Sequence, residues 1–233
     1  MNPPVPGALP LHMADEDLWL LPGRALWWPR RQWLALADVH LGKGASFRAA
    51  GVPVPSGTTA ANLAQIDALL DVSGARHLLF LGDLFHSRTG LKAVMPALHA
   101  WRAARPDLAI TLVRGNHERH AGDPAHSLDI AVCDEPLRSA SLLFCHHPQW
   151  ERASQGELLI AGHLHPVFAL VQGPERLRLP CFWLRQSCLV LPAFGAFTGG
   201  FAIQREAADR IFLVSHEAVH ALPAQRRQGG LKP

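Results

Sequence analysis

The chain has 233 residues, 48% of them hydrophobic and 18% charged, with a formal net charge of +3. That balance excludes a disordered chain and allows one substantial buried core. No apolar run approaches the roughly 20 residues needed to span a bilayer, and Met1-Asn-Pro-Pro-Val-Pro-Gly7 lacks the basic and apolar regions of a secretion signal.

Leu18 to Leu21 and Ala25 to Trp28 read as two strands around a Pro-Gly turn, opening the fold with a hairpin. Trp33 to Ala37 is an apolar run suited to a buried strand. From Leu41 to Gly57 small residues, Gly and Pro predominate, which predicts a long loop carrying Lys43 and Arg48. Ser56 or Thr58 can cap a following helix in which Leu63, Ile66, Leu69 and Leu70 recur at helical spacing, with Gly74 at its end. His77 to Leu81 is the next strand. Leu91 to Ala104 is helical, with Met95, Leu98 and Trp101 on one face and Pro106 beyond it. Strands follow at 108–113, 141–145 and 158–161, and then at 167–171, 177–183, 188–191, 201–204 and 211–214. Strand, loop and helix alternate through the first half and strands alone follow, so the chain is α/β, with two sheets and helices outside them. Residues 1–223 read as a single domain, and 224–233 as a polar, flexible tail.

Five short polar clusters each follow an apolar run: Asp38-Val-His40, Gly82-Asp83, Gly115-Asn116-His117-Glu118, His146-His147 and Gly162-His163-Leu-His165. Asp38 and His40 are two residues apart, so a continued strand would turn both to one side. Asp83 has two carboxylate oxygens and can bridge two cations. Asn116 offers an amide oxygen; His146, His163 and His165 offer imidazoles. Nitrogen and oxygen donors without thiolate suit Mn²⁺, Fe or Zn²⁺. Asp38, His40, Asp83 and His165 would hold one cation, and Asp83, Asn116, His146 and His163 a second. Two cations about 3.5–4 Å apart lower the pKa of a bridging water and clamp both oxygens of an in-line displacement at phosphorus. His117, beside a ligand but not needed as one, is then a candidate general acid.

These clusters, in this order, resemble the calcineurin-like metallophosphoesterases, whose pattern is D-x-H, G-D, G-N-H-[D/E], H and G-H-x-H. The resemblance covers Asp38 to His165 and implies a four-layer α/β/β/α sandwich with a binuclear metal centre. Within that family, Ala37-Asp-Val-His-Leu-Gly-Lys43, Phe47-Arg48-Ala-Ala-Gly-Val-Pro-Val-Pro55 and Leu191-Pro-Ala-Phe-Gly-Ala-Phe-Thr-Gly-Gly200 are similar to the bacterial ligase-associated DNA damage response endonucleases. That similarity implies a phosphodiesterase or endonuclease acting on DNA in bacterial repair, beside a DNA ligase and a helicase. Ser/Thr protein phosphatases of the family carry G-D-x-x-D-R-G at the second cluster. Here Gly82-Asp-Leu-Phe-His-Ser-Arg88 puts serine in place of their phosphate-gripping arginine, so a protein phosphatase is disfavoured.

Lys43 and Arg48 are candidate phosphate contacts. His86 and His147 are candidates for substrate contact or for orienting ligands. His146 is chosen over His147 because it follows the strand directly and matches the family position. Arg30, Arg31, Arg226, Arg227 and Lys232 read as surface charge; His120, His126, His216 and His220 read as surface or packing residues. The tryptophans, among them Trp27, Trp28, Trp101 and Trp183, read as core. Cys133, Cys145, Cys181 and Cys188 form no C-x-x-C pair, which suits reduced thiols in a cytoplasmic protein. Two other readings stay open: a phosphodiesterase of small nucleotides or cyclic phosphodiesters, and a non-catalytic scaffold. A homodimer is compatible with the sequence.

Overall fold

The computed structural model of the protein describes residues 3–118 and 122–224. The expected tail beyond Ala224, with Arg226, Arg227 and Lys232, lies outside the described residues, as does His120.

The first sheet has seven strands in sequence order: β1 (Leu9–Met13), β2 (Glu16–Leu21), β3 (Ala25–Trp28), β4 (Trp33–Ala37), β5 (His77–Leu81), β6 (Ala109–Val113) and β7 (Ala131–Cys133). Its first half is an antiparallel meander. From β4 onward the pairs are parallel, in register Ala37↔Leu81 and Leu81↔Val113. Parallel pairing needs long crossovers, and two of these contain the helices α2 (Thr58–Ser73) and α3 (Arg88–Ala103).

The second sheet has nine strands: β8 (Leu137–Ser139), β9 (Leu142–Phe144), β10 (Leu158–Ala161), β11 (Pro166–Gln172), β12 (Glu175–Arg185), β13 (Cys188–Val190), β14 (Phe201–Ala202), β15 (Arg210–Val214) and β16 (Val219–Ala221). At its centre β9, β10 and β13 are parallel. The long β12 pairs β11 through its first half, and β13 and β15 through its second.

The period-2 alternation of the strands divides the core into layers. Leu34, Leu36, Leu78, Phe80, Ile110 and Leu112 face Leu63, Ile66, Leu70, Val94 and Leu98 of the helices. Their neighbours Ala35, Ala37, Leu79, Leu81 and Val113 face Leu142, Phe144, Leu158 and Ile160 of the second sheet. Fully burying each such Leu or Phe stabilises the fold by about 1.5–3 kcal/mol. The layered α/β sandwich expected from the sequence is therefore present. α2 and α3 cover the first sheet, and a short α1 (Lys43–Ala49) packs against α3. Over the outer face of the second sheet, Trp150, Ala153, Ile203 and Leu222 reach in from segments outside the strands.

Three local expectations change. The stretch after Leu41 is not all loop, because it contains α1. The N-cap of α2 is Gly57, at φ +86, with no side-chain cap from Ser56 or Thr58. β4 ends at Ala37, so the strand does not continue through Asp38 and His40; both adopt left-handed backbone, at φ +54 and +47. Gly74 ends α2 in the left-handed conformation, as its position suggests. Trp27, Trp28 and Trp183 are buried, and the four cysteines are free thiols. Among the described residues no helix is long and apolar enough to cross a membrane.

Candidate metal centre

Five of the parallel strands end at the same edge of the sandwich, where each delivers one polar cluster. β4 is followed by Asp38 and His40, β5 by Asp83, β6 by Asn116 and His117, β9 by His146, and β10 by His163 and His165. Backbone bonds lock these loops together. His40 N–H donates to the Asp83 carbonyl at 2.9 Å, Leu41 to Leu84 at 2.8 Å, and Gly162 to His146 at 3.0 Å. Asp38, His40, Asp83, His163 and His165 all have positive φ. Non-glycine residues seldom adopt it, and such backbone strain concentrates at functional sites.

The side chains converge. His165 Nε2 lies 3.4 Å from both His40 Nε2 and Asp38 Oδ1, and His40 Nε2 is 3.8 Å from Asp83 Oδ2. On the other side, His146 Nε2 is 2.8 Å from Asn116 Oδ1, 3.0 Å from His163 Nδ1 and 3.5 Å from Asp83 Oδ1. Asp83 thus stands between two groups, one around His40 and His165 and one around His146 and His163. A β-carbon at Gly82 would run into the ring of His146, and one at Gly115 into Asp83 Oδ1. Glycine is what lets these side chains approach so closely.

Three features fit this pocket to cations. Asp38 Oδ1 is buried and has no hydrogen-bond partner among the described residues. His146 Nδ1 donates to the Leu81 carbonyl at 3.0 Å, and His165 Nδ1 to the Thr198 carbonyl at 3.2 Å, so each ring turns an Nε2 lone pair inward. The His146 lone pair then faces the oxygens of Asn116 and Asp83. Acceptors facing one another in a buried site need a positive charge among them. Asp38, His40 and His165 form one set that could hold a metal ion; Asp38, Asp83 and His146 form another, with ligand atoms within 4.8 Å of one another.

Protonation agrees. Burial, reinforced by His165, Lys43, His117 and His86, pushes His40 down to about 2, so its ring is a neutral donor. Burial and the neighbouring His146 and His147 lower His163. His165 is raised, because Asp38 and the Thr198 carbonyl outweigh its burial. Burial pushes the thiols of Cys145, Cys181 and Cys188 up to about 12, which removes them as ligands or nucleophiles.

The flanking candidates divide. His117 Nδ1 donates to the His86 carbonyl at 2.8 Å, which directs Nε2 to within 3.8 Å of Asp83 Oδ2. The His86 ring stacks on that of His117 with centroids 5.4 Å apart, and it lies among possible ligands with His40 and His117. His147 Nδ1 bonds Glu135 at 2.9 Å, while its ring packs on His163. Lys43 is held near the centre, where burial lowers its pKa and Asp38 and Asp83 counteract the shift. Arg48 is exposed, and its guanidinium donates to the carbonyls of Val54 and Pro55.

Two acids that the sequence reading gave no role hold the loops in place. Glu118 accepts backbone N–H bonds from Asp83, Leu84 and Gly115 at 2.8–2.9 Å. Glu135 accepts those of His146 and His147 at 2.8 and 2.9 Å. Burial opposes ionisation of Glu135, but the bonds from His147 and His146 hold it below the usual carboxylate range. Glu118 had a visible signal, the acid ending Gly115-Asn-His-Glu118. Glu135 had none.

Comparison with known proteins agrees with this geometry. The family model described as calcineurin-like phosphoesterase matches residues 33–227. The crystal structure of the nuclease MPE of Pseudomonas putida is 40% identical, with a TM-score of 0.80, and the match covers 92% of this chain and all of that one. Yfce, a phosphoesterase from E. coli, matches at 16% identity over 83% of this chain and 99% of its own, with a TM-score of 0.41, too low to carry weight. No curated protein matches. With the family model spanning most of the chain and the polar clusters gathered at one edge of the sandwich, the protein belongs to the calcineurin-like phosphoesterase family and is a metal-dependent phosphoesterase.

Proposed function

We propose that the protein is a phosphodiesterase that acts as a nuclease on DNA. The observation that supports this most directly is the placing of Asp83 between two donor groups, each able to take a divalent cation. On this reading Asp38, His40, Asp83 and His165 hold one cation, and Asp83, Asn116, His146 and His163 hold the other. Mn²⁺ is the assignment we make; Fe and Zn²⁺ also suit the donors. Two such cations supply activated water and neutralise charge on the phosphoryl oxygens.

The chain's own groups do the rest. His117 has Nδ1 engaged by the His86 carbonyl, which fixes the ring with Nε2 turned toward Asp83; when doubly protonated, the ring delivers a proton from Nε2 to the leaving alkoxide. Lys43 adds positive charge beside Asp38 and Asp83. His86, Ser87, Arg88, Asn116 and His117 border a cavity of about 590 Å³ that gives the leaving group room. Arg48 acts by shaping the loop through Pro55, and His147 orients its neighbours from the rim. DNA as substrate is supported by the nuclease activity named for the P. putida neighbour. A repair role beside a DNA ligase and a helicase is supported by the sequence similarity of 37–55 and 191–200, and a cytoplasmic location by the four free thiols.

The test is a substrate panel. Metal-stripped protein reloaded with Mn²⁺ is given bis-p-nitrophenyl phosphate, the matching monoester, and single- and double-stranded DNA. Cleavage of the diester and of DNA is expected. Diester hydrolysis without DNA cleavage would point instead to a small phosphodiester.

A further inference from the structure

Beside the metal centre, a cavity of about 330 Å³ is bordered by two guanidinium groups, Arg24 and Arg178, and by the loop Gly195 to Gly200. No carboxylate borders it. Each arginine's side-chain bond is to a backbone carbonyl: Arg24 to Ala193 at 3.3 Å and Arg178 to Gly200 at 3.0 Å. Among the described residues neither has an acidic partner. Arg24 is half-buried, and burial lowers its pKa. Desolvating a charge without a counter-ion is unfavourable, and three other partly buried arginines have one: Arg102 pairs with Asp129, Arg105 with Asp67 and Arg185 with Asp209. Arg24 also borders a neighbouring cavity of about 550 Å³ that likewise has no acid in its walls. Arg24 sits in the turn between β2 and β3, itself at φ +60, and lines both cavities.

The cavity is mechanically part of the site. Thr198, in its wall, accepts the Nδ1 proton of His165, and Gly195 N–H donates to the Asp38 carbonyl at 3.2 Å. A phosphate there would lie next to the one being cleaved. Phe197 also borders the cavity and is 48% exposed, at φ +59. An exposed aromatic ring beside an anion pocket offers stacking to a base, which a bare phosphate lacks.

The geometry points to a second phosphate subsite: Arg24 and Arg178 grip the non-scissile phosphate adjoining the scissile one in a polynucleotide, whose base meets Phe197. The subsite rests on the nuclease reading above and makes it more specific. A small diester such as bis-p-nitrophenyl phosphate has no second phosphate to offer.

Arg24→Met with Arg178→Met is compared with wild type in the Mn²⁺-loaded protein, on a single-stranded 12-mer and on bis-p-nitrophenyl phosphate. The ratio of kcat/KM for the 12-mer to that for the diester is expected to fall about tenfold or more, mostly through KM. The slope of log affinity for the 12-mer against log salt should shrink by about 0.7, one phosphate contact on a single strand. An unchanged ratio, or a parallel fall on both substrates, would overturn the subsite. Arg178→Met alone, at an exposed position, should move the ratio the same way by a smaller factor, so poor folding of the Arg24 variant leaves the question decidable. If wild type hydrolyses the diester but does not cleave DNA, the nuclease reading fails on its own. The subsite is then judged by fluorescence anisotropy of the labelled 12-mer: equal affinity for wild type and double variant, or no binding by either, would overturn it.

Discussion

The carboxylate of Glu118 accepts the backbone N–H of Asp83 at 2.9 Å and, through its other oxygen, that of Leu84 at 2.8 Å. With a third bond from Gly115 at 2.8 Å, one buried side chain fastens the loop after β5 to the loop after β6. Glu118→Gln would turn an amide N–H toward one of these donors. A loss of about 1–3 kcal/mol is expected, together with weaker metal retention. Thermal melting and metal analysis of the variant check this; a melting temperature equal to that of wild type would show that the carboxylate does not clamp the loops.

His117→Ala should reduce kcat by roughly 10²–10⁴-fold, the range for losing a general acid, while bound metal stays at the wild-type level. The loss should be smaller on p-nitrophenyl esters, whose leaving group needs no proton, than on DNA. Metal loss in the variant would make His117 a ligand instead.

Metal binding should stabilise the fold, because the ligands come from loops after five strands. Free metal at a hundred times its Kd contributes about 2.7 kcal/mol to the native state. Stripping the protein should therefore lower its melting temperature, and re-addition of Mn²⁺ should restore it in a concentration-dependent way. Identical melting curves with and without Mn²⁺ would mean that the donor groups do not bind it.

Far from the site, Arg185 holds Asp209 through two bonds, at 2.9 and 2.8 Å, and Glu206 N–H adds a third at 2.9 Å. Burial opposes ionisation, but these bonds keep Asp209 below its ordinary value. A depressed folded pKa means that the unfolded chain binds more protons between the two values. The stabilisation is thus full above the unfolded value of about 3.9 and is lost as pH falls through the folded one. Asp209→Asn should cost about 1.5–3 kcal/mol at pH 7 and flatten the acid limb. Urea midpoints from pH 2 to 7 for both proteins measure it; parallel curves would contradict the assignment.

Much of this was legible in the chain. β4 and β5 fall at Trp33–Ala37 and His77–Leu81, the two apolar runs, since a strand buried on both faces needs apolar residues throughout. The five polar clusters stood out because each interrupts such a run. What stayed hidden depends on distant partners. α1 has seven residues, with Gly44 among them, too short to show an amphipathic period; Ser46 Oγ meets Ser87 Oγ at 2.7 Å to fix it on α3. β7 and β16 have three residues each and exist through pairing with the longer β6 and β15, and the three-residue β8 through pairing with β9. The way Asp38 and His40 come together was also misjudged, because a left-handed turn rather than strand alternation places them. Glu135 works through backbone groups 11 and 12 residues away, and Arg24 looked like part of a turn. Neither spacing announces a role.

Whether Asp83 serves two cations at once is decided by metal content together with hydrolysis in Asp83→Asn. The variant, reloaded with Mn²⁺, should retain fewer cations than wild type. Hydrolysis of bis-p-nitrophenyl phosphate should fall by more than the 10–100-fold typical of changes outside the ligand shell. Wild-type metal content with hydrolysis near the wild-type rate would contradict it.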